Sequence, residues 1–208
     1  MTRPGLTEIV CIIDRSGSME AIRDDAIGGF NVFLDAQQQL PGEAWLTLVL
    51  FDDRYDVVID HVALDQVARL DRVTFVPRGS TALLDAMGRT IDQVGTRLAA
   101  TAEDDRPSKV IVVVLTDGKE NASRNYSQHD VFDRVAHQRE QYGWDFIFLA
   151  ANQDAIASAA ALAIDPRRAI SFVADHEGTS AGFSEVSNAV GASRMLFGGS
   201  KKRGNTVN

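Results

Sequence analysis

The chain has 208 residues, 45% of them hydrophobic and 24% charged, a size and composition that suit one globular domain with a full core and leave no room for a second. Its 21 lysines and arginines face 29 aspartates and glutamates, and the formal net charge of -8 argues against a sequence-independent grip on nucleic acid phosphates. One cysteine, Cys11, excludes an internal disulfide, and no apolar stretch is long enough to cross a bilayer.

Glu8 to Ile13 is apolar enough to predict a buried strand, and Glu20 to Leu40 repeats apolar residues at helical spacing through Ile22, Ala26, Ile27, Phe30, Phe33 and Leu34 until Pro41-Gly42 ends it. Gly28-Gly29 inside that helix lowers its propensity and points to close packing on a neighbour. Trp45 to Phe51 predicts an interior strand. Asp52-Asp53-Arg54 then turns the chain into Tyr55 to Val62, a partly alternating run that suits an antiparallel edge strand. Ala82 to Ala100 carries one apolar helical face, with Gly79-Ser80-Thr81 at its start, and Lys109 to Leu115 is the most β-branched run, as expected of a strand buried on both faces.

Ser127 and Asp130 form an approximate capping box for a helix that stops near Gly143. Trp144 to Ala150 predicts a strand, Asp154 to Ala163 an alanine-rich helix, Ala169 to Val173 a last strand and Thr179 to Phe197 a final helix. Alternation of this kind predicts an α/β fold: a doubly wound, mostly parallel six-stranded sheet with one antiparallel edge strand and helices on both faces. Residues 1–6 are expected to be an N-terminal extension, 7–197 the domain, and 198–208, with no apolar anchor in Gly-Gly-Ser-Lys-Lys-Arg-Gly-Asn, a disordered tail.

In such sheets ligands bind beyond the carboxyl ends of the strands, where strand order reverses. Asp14, Ser16 and Ser18 follow the first strand, Thr81 precedes a helix, and Asp117, in Thr116-Asp117-Gly118, follows the β-branched strand. All five offer hard oxygens, which select Mg2+, Mn2+ or Ca2+ over zinc or copper, and the few carboxylates favour Mg2+. Each residue alone is also explained as a helix cap or a loop bond.

The set resembles the von Willebrand factor type A (VWA) domain with its metal-ion-dependent adhesion site (MIDAS): the family's Asp-x-Ser-x-Ser stands at Asp14, Ser16 and Ser18, its isolated threonine at Thr81 and its distal aspartate at Asp117. The likeness spans the alternating elements from about Thr7 to Phe197. It implies a Rossmann-like fold and a module, not an enzyme, in which a bound Mg2+ accepts an Asp or Glu side chain from a partner protein, with no nucleic acid or membrane involved. Absence of a disulfide, together with a Met1-Thr2-Arg3-Pro4-Gly5 start that lacks a secretory pattern, gives the expectation of a cytoplasmic protein. This form is similar to bacterial stand-alone intracellular members, including those associated with tellurite resistance.

The rival reading is a Mg2+-dependent phosphate-transferring or hydrolysing enzyme, with Asp14 as nucleophile and Asp117 on the metal. Ser16 stands where an aspartyl-phosphate hydrolase is expected to carry a second aspartate, and Glu20 and Lys119 are the nearest candidates for a proton donor. Neither a phosphate-binding loop nor Gly-x-Ser-x-Gly is present. Asp52 and Asp53 read as a solvated turn, or otherwise as an acidic rim to the site. Arg15 and Arg78 read as exposed loop residues, or otherwise as salt-bridge donors to an acidic partner, and His61, His129, His137 and His176 as ordinary surface histidines.

Overall fold

The computed structural model describes residues 2–151 and 154–198. Six strands run in the order β3-β2-β1-β4-β5-β6, all parallel except β3. They are β1 (Arg3–Asp14), β2 (Glu43–Phe51), β3 (Tyr55–Ala63), β4 (Pro107–Thr116), β5 (Asp145–Ala151) and β6 (Ala169–Phe172). The helices are α1 (Arg23–Gln38), α2 (Leu83–Ala100), α3 (Gln128–Tyr142), α4 (Ala155–Ala160) and α5 (His176–Gly198). This is the doubly wound sheet expected from the alternation.

Pleating sorts the core by parity. Ile9, Cys11 and Ile13 of β1 join Ile111, Val113 and Leu115 of β4 under α1 and α5, while Val10, Ile12, Val112 and Val114 point to the opposite face under α2, α3 and α4. Buried on both faces, β1 and β4 are continuous apolar runs, whereas β3 at the edge leaves Val57 and Val58 partly exposed. β1 starts at Arg3: its backbone N–H donates to Arg106 O at 2.7 Å and Leu6 pairs with Glu43, so residues 3–6 continue the strand. Gly198 closes α5, and the rest of the expected tail lies outside the described residues.

Three local differences from expectation have physical causes. The first helix does not run unbroken from Glu20; a 3₁₀ segment, Gly17–Ile22, precedes α1 and is started by an i to i+3 bond from Met19 N to Ser16 O at 3.0 Å. The alanine-rich helix stops at Ala160 because Ala163 turns to a positive φ of 57° and Ile164 N reaches back to Ala159 O. Of the glycine pair, only Gly29 is needed for packing: a Cβ there would lie 2.2 Å from the Phe183 ring, whereas Gly28 faces open space. The α1–α5 contact is therefore built on a missing side chain.

Ser127 and Asp130 do form the reciprocal capping box of α3, and Gly143 ends that helix at a φ of 64°. His61 departs from an ordinary surface histidine. It lies half-buried, stacked on Trp45 at 4.4 Å, with Nδ1 2.9 Å from the buried carboxylate of Glu8, which also accepts from Arg97 at 2.6 Å.

Candidate metal centre

The strand order reverses at β1, whose chain leaves through α1 to β2 on one side while β4 lies on the other. β1 ends in Asp14 and β4 in Thr116, so the two strand ends open one crevice at the carboxyl edge. Asp14 is fully buried there. Its Oδ1 accepts the backbone N–H of Ser16 at 2.7 Å and its Oδ2 the hydroxyl of Thr116 at 2.6 Å. Burial pushes this carboxyl up to about 6; the bonds from Thr116 and Ser16 pull the other way, and neighbouring Asp117 adds to the rise.

The turn from Ser16 into the 3₁₀ segment brings the two serine hydroxyls together, Ser16 buried and Ser18 exposed. Ser16 Oγ lies 3.2 Å from Ser18 Oγ, and Ser18 Oγ donates to Asp117 Oδ1 at 2.7 Å. Asp117 is likewise shifted upward by burial, against the bond from Ser18. Thr81 closes the ring from the other side: a Cβ added at Gly118 would stand 3.1 Å from Thr81 Oγ1 and 3.6 Å from Ser18 Oγ. The threonine is fixed by its backbone, whose N–H donates to Asn121 Oδ1 at 3.0 Å and whose carbonyl accepts from Asn121 and Ala122. All five residues singled out by spacing thus meet at one edge of the sheet.

Among the described residues neither Asp14 nor Asp117 forms an ion pair, and no group of three or more His, Cys, Asp and Glu side chains could hold a metal. The donor set is therefore two uncompensated carboxylates and three hydroxyls. Hard oxygens around unspent negative charge fit a small divalent cation, and neutral hydroxyls leave it electrophilic toward a further anionic ligand. Glu20 and Lys119 are both exposed, Glu20 with only a 3.8 Å approach to Arg23.

Some residues behind these side chains were misread or missed. Asp52 is not a solvated turn but fully buried, and its Oδ2 accepts from Arg15 Nε at 2.9 Å and Arg78 Nε at 2.8 Å. Arg15 is itself only 4% exposed, and its other end pairs with Asp56. Backbone bonds follow the same route, Arg78 N to Arg15 O at 2.9 Å, Gly17 N to Gly79 O at 3.2 Å and Ala82 N to Asp52 O at 3.0 Å. This network binds the loops that carry Ser16, Ser18 and Thr81 to the β2–β3 turn. Asp53, by contrast, is exposed. Thr116 carried a hint, since it stands beside Asp117; the Arg15–Asp52 pair, 37 residues apart, carried none.

No protein-family model matches the sequence, and no curated protein is matched by it. Solved structures match by shape. Proximal thread matrix protein 1 from the mussel byssus, with a zinc-occupied MIDAS motif, aligns at a TM-score of 0.64 and 16% identity, over 91% of this chain and 49% of that one. The von Willebrand factor type A protein from Catenulispora acidiphila aligns at 0.59 and 18% identity, over 89% and 42%. The vWF domain of the type V pili tip protein Mfa5 from Porphyromonas gingivalis aligns at 0.63 and 12% identity, over 100% and 99%. This chain spans about half the length of the first two. At these identities the shared property is the fold, and it is that of VWA domains.

Proposed function

We propose that this domain binds a divalent cation through Asp14, Ser16, Ser18, Thr81 and Asp117 and uses it to engage an Asp or Glu side chain of a partner protein. Mg2+ is the ion of the proposal, with Mn2+ and Ca2+ as alternatives. The observation that carries the reading is the pair of carboxylates, Asp14 fully buried and Asp117 half-buried, without a cationic partner among the described residues and facing three hydroxyls. Support of a different kind comes from solved structures of the same fold, which include a matrix protein with zinc in its MIDAS and a pilus adhesin. A bacterial, cytoplasmic setting near tellurite-resistance proteins belongs to the same proposal and rests on the motif's resemblance.

The phosphate-transfer alternative asks Asp14 to be a nucleophile. Both of its oxygens already accept short bonds in a fully buried position, and that weighs against it. Calorimetric titration with Mg2+ or Mn2+ tests the metal assignment: wild type is expected to show one saturable site and Asp14→Ala none. Equal binding by both proteins sinks the assignment. Affinity capture with and without chelator then tests bridging, and partners retained equally under both conditions argue against it.

A further inference from the structure

A cleft of about 470 Å3 opens beside the metal site and shares its wall, because Ala82, next to Thr81, lines it. Its other walls include Arg54, Tyr55, Arg89, Asn125 and Tyr126. Both rings are held rigidly. The Tyr55 hydroxyl bonds to Thr90 Oγ1 at 3.1 Å and donates to Gln93 Oε1 at 2.8 Å. Tyr126 packs flat on Gly88, where a Cβ would stand 2.3 Å from the ring, and its hydroxyl donates to Asp92 at 3.0 Å.

Charge inside the cleft is unevenly spent. Asp85 accepts from three backbone amides, those of Arg124, Asn125 and Tyr126, and from Asn125 Nδ2, all within 3.0 Å, so its carboxylate is used up holding the 124–126 loop. Asp53 leans on Gly79 at the cleft's other end, where a Cβ would lie 2.1 Å from its Oδ1. Arg89 is exposed and, among the described residues, has no ion pair; its guanidinium carbon rests 4.2 Å above the Tyr55 ring centroid. Many other arginines of this acid-rich chain are paired, Arg3 with Glu43, Arg134 with Asp92 and Arg168 with Asp145 among them. Arg54 on the same cleft, like Arg89, has no ion pair among the described residues but stacks on no ring there. A stacked guanidinium keeps its N–H fork free, and that fork matches a carboxylate.

We propose that the segment docking on this domain carries two acidic residues: one for the metal and a second, three or four positions away, received by Arg89 between Tyr55 and Tyr126. The inference rests on the metal-bridging reading and adds the chemistry and spacing of the partner. Spacing follows from the scaffold. Arg89 stands on the second turn of α2, just beyond Thr81, on the order of 10–12 Å from the ligands at 1.5 Å per helical residue. An extended peptide covers that distance in three or four residues, at about 3.3 Å each.

The test uses capped Gly/Ser peptides with a single Glu, with a second Glu three or four positions to either side, or with two adjacent Glu, titrated by fluorescence anisotropy in Mn2+. The spaced pair in one direction is expected to bind about three- to fivefold tighter than the single Glu, the upper range for an exposed guanidinium–carboxylate pair. Arg89→Ala is expected to cancel that gain while leaving Mn2+ affinity, thermal melting and single-Glu binding unchanged. Equal affinity for one and two acids, an equal gain from adjacent acids, or a gain that survives Arg89→Ala overturns the second contact and leaves the metal reading standing. Peptide binding that ignores both chelator and Asp14→Ala overturns both.

Discussion

Asp14 and Asp52 leave the sheet side by side, at the ends of β1 and β2, and both are wholly buried, yet their surroundings are opposite. Asp52 faces two guanidiniums, those of Arg15 and Arg78, and its charge is consumed in joining loops. Asp14 receives only a hydroxyl and an amide, with a second carboxylate close enough to raise it further. A buried charge is costly unless paired. The contrast teaches that the two aspartates divide the work of this edge: one is neutralised and makes it rigid, and the other is left short of positive charge, as the proposed cation site requires.

The largest effect is expected from Asp52→Ala, which strands buried Arg15 without its Asp52 contact. Urea denaturation should show a loss of about 3–5 kcal/mol, the usual cost of breaking a buried pair. A loss under about 1 kcal/mol would erase the contrast.

Asp14→Asn is expected to act in the other direction on the metal-free protein. Burial raises the folded carboxyl to about 6 from 3.8, so the folded state binds the proton more tightly and stability falls as pH rises from about 4 to 6. At pH 7 in chelator the substitution should therefore stabilise by roughly 2–3 kcal/mol. The difference from wild type should vanish at or below pH 4, as read from urea curves across that window. An unchanged difference between pH 4 and 7 would place the cost elsewhere.

A smaller effect is expected from Gly118→Ala. The new methyl crowds Thr81 Oγ1 at 3.1 Å. Mn2+ affinity should drop about three- to tenfold while stability stays within about 1 kcal/mol, a result that separates site geometry from fold. Unaltered affinity would show that Thr81 and Ser18 do not need their present approach.

Much of the site was legible because its residues are close in sequence or stand at strand ends. Asp14, Ser16 and Ser18 form one loop, and Thr81 and Asp117 each follow or precede an apolar run whose position in a parallel sheet can be read from periodicity. The element order and the antiparallel edge were legible for the same reason. Asp52 was not: in Asp52-Asp53-Arg54 nothing local separates the buried acid from its exposed neighbour. Its partners Arg15 and Arg78 become near only once β1 and β2 pair and the 78–82 segment folds over both. The start of β1 was missed because Arg3 is held by a backbone bond to Arg106 and an ion pair to Glu43, neither of which shows as an apolar pattern.

The loops that present the ligands are joined by main-chain bonds: Arg15 N to Phe51 O, Arg78 N to Arg15 O, Gly17 N to Gly79 O and Ala82 N to Asp52 O. Bonds of this kind are indifferent to which side chain each residue carries. The edge therefore behaves as a frame with replaceable inserts, and sequence can drift widely while the frame keeps its shape, in keeping with solved structures that share the fold at 12–18% identity. For protein engineering the consequence is practical: exposed side chains such as Asp53 and Lys119 are the places to exchange, and the framework bonds, with Asn121 that holds Thr81, are the ones to leave alone.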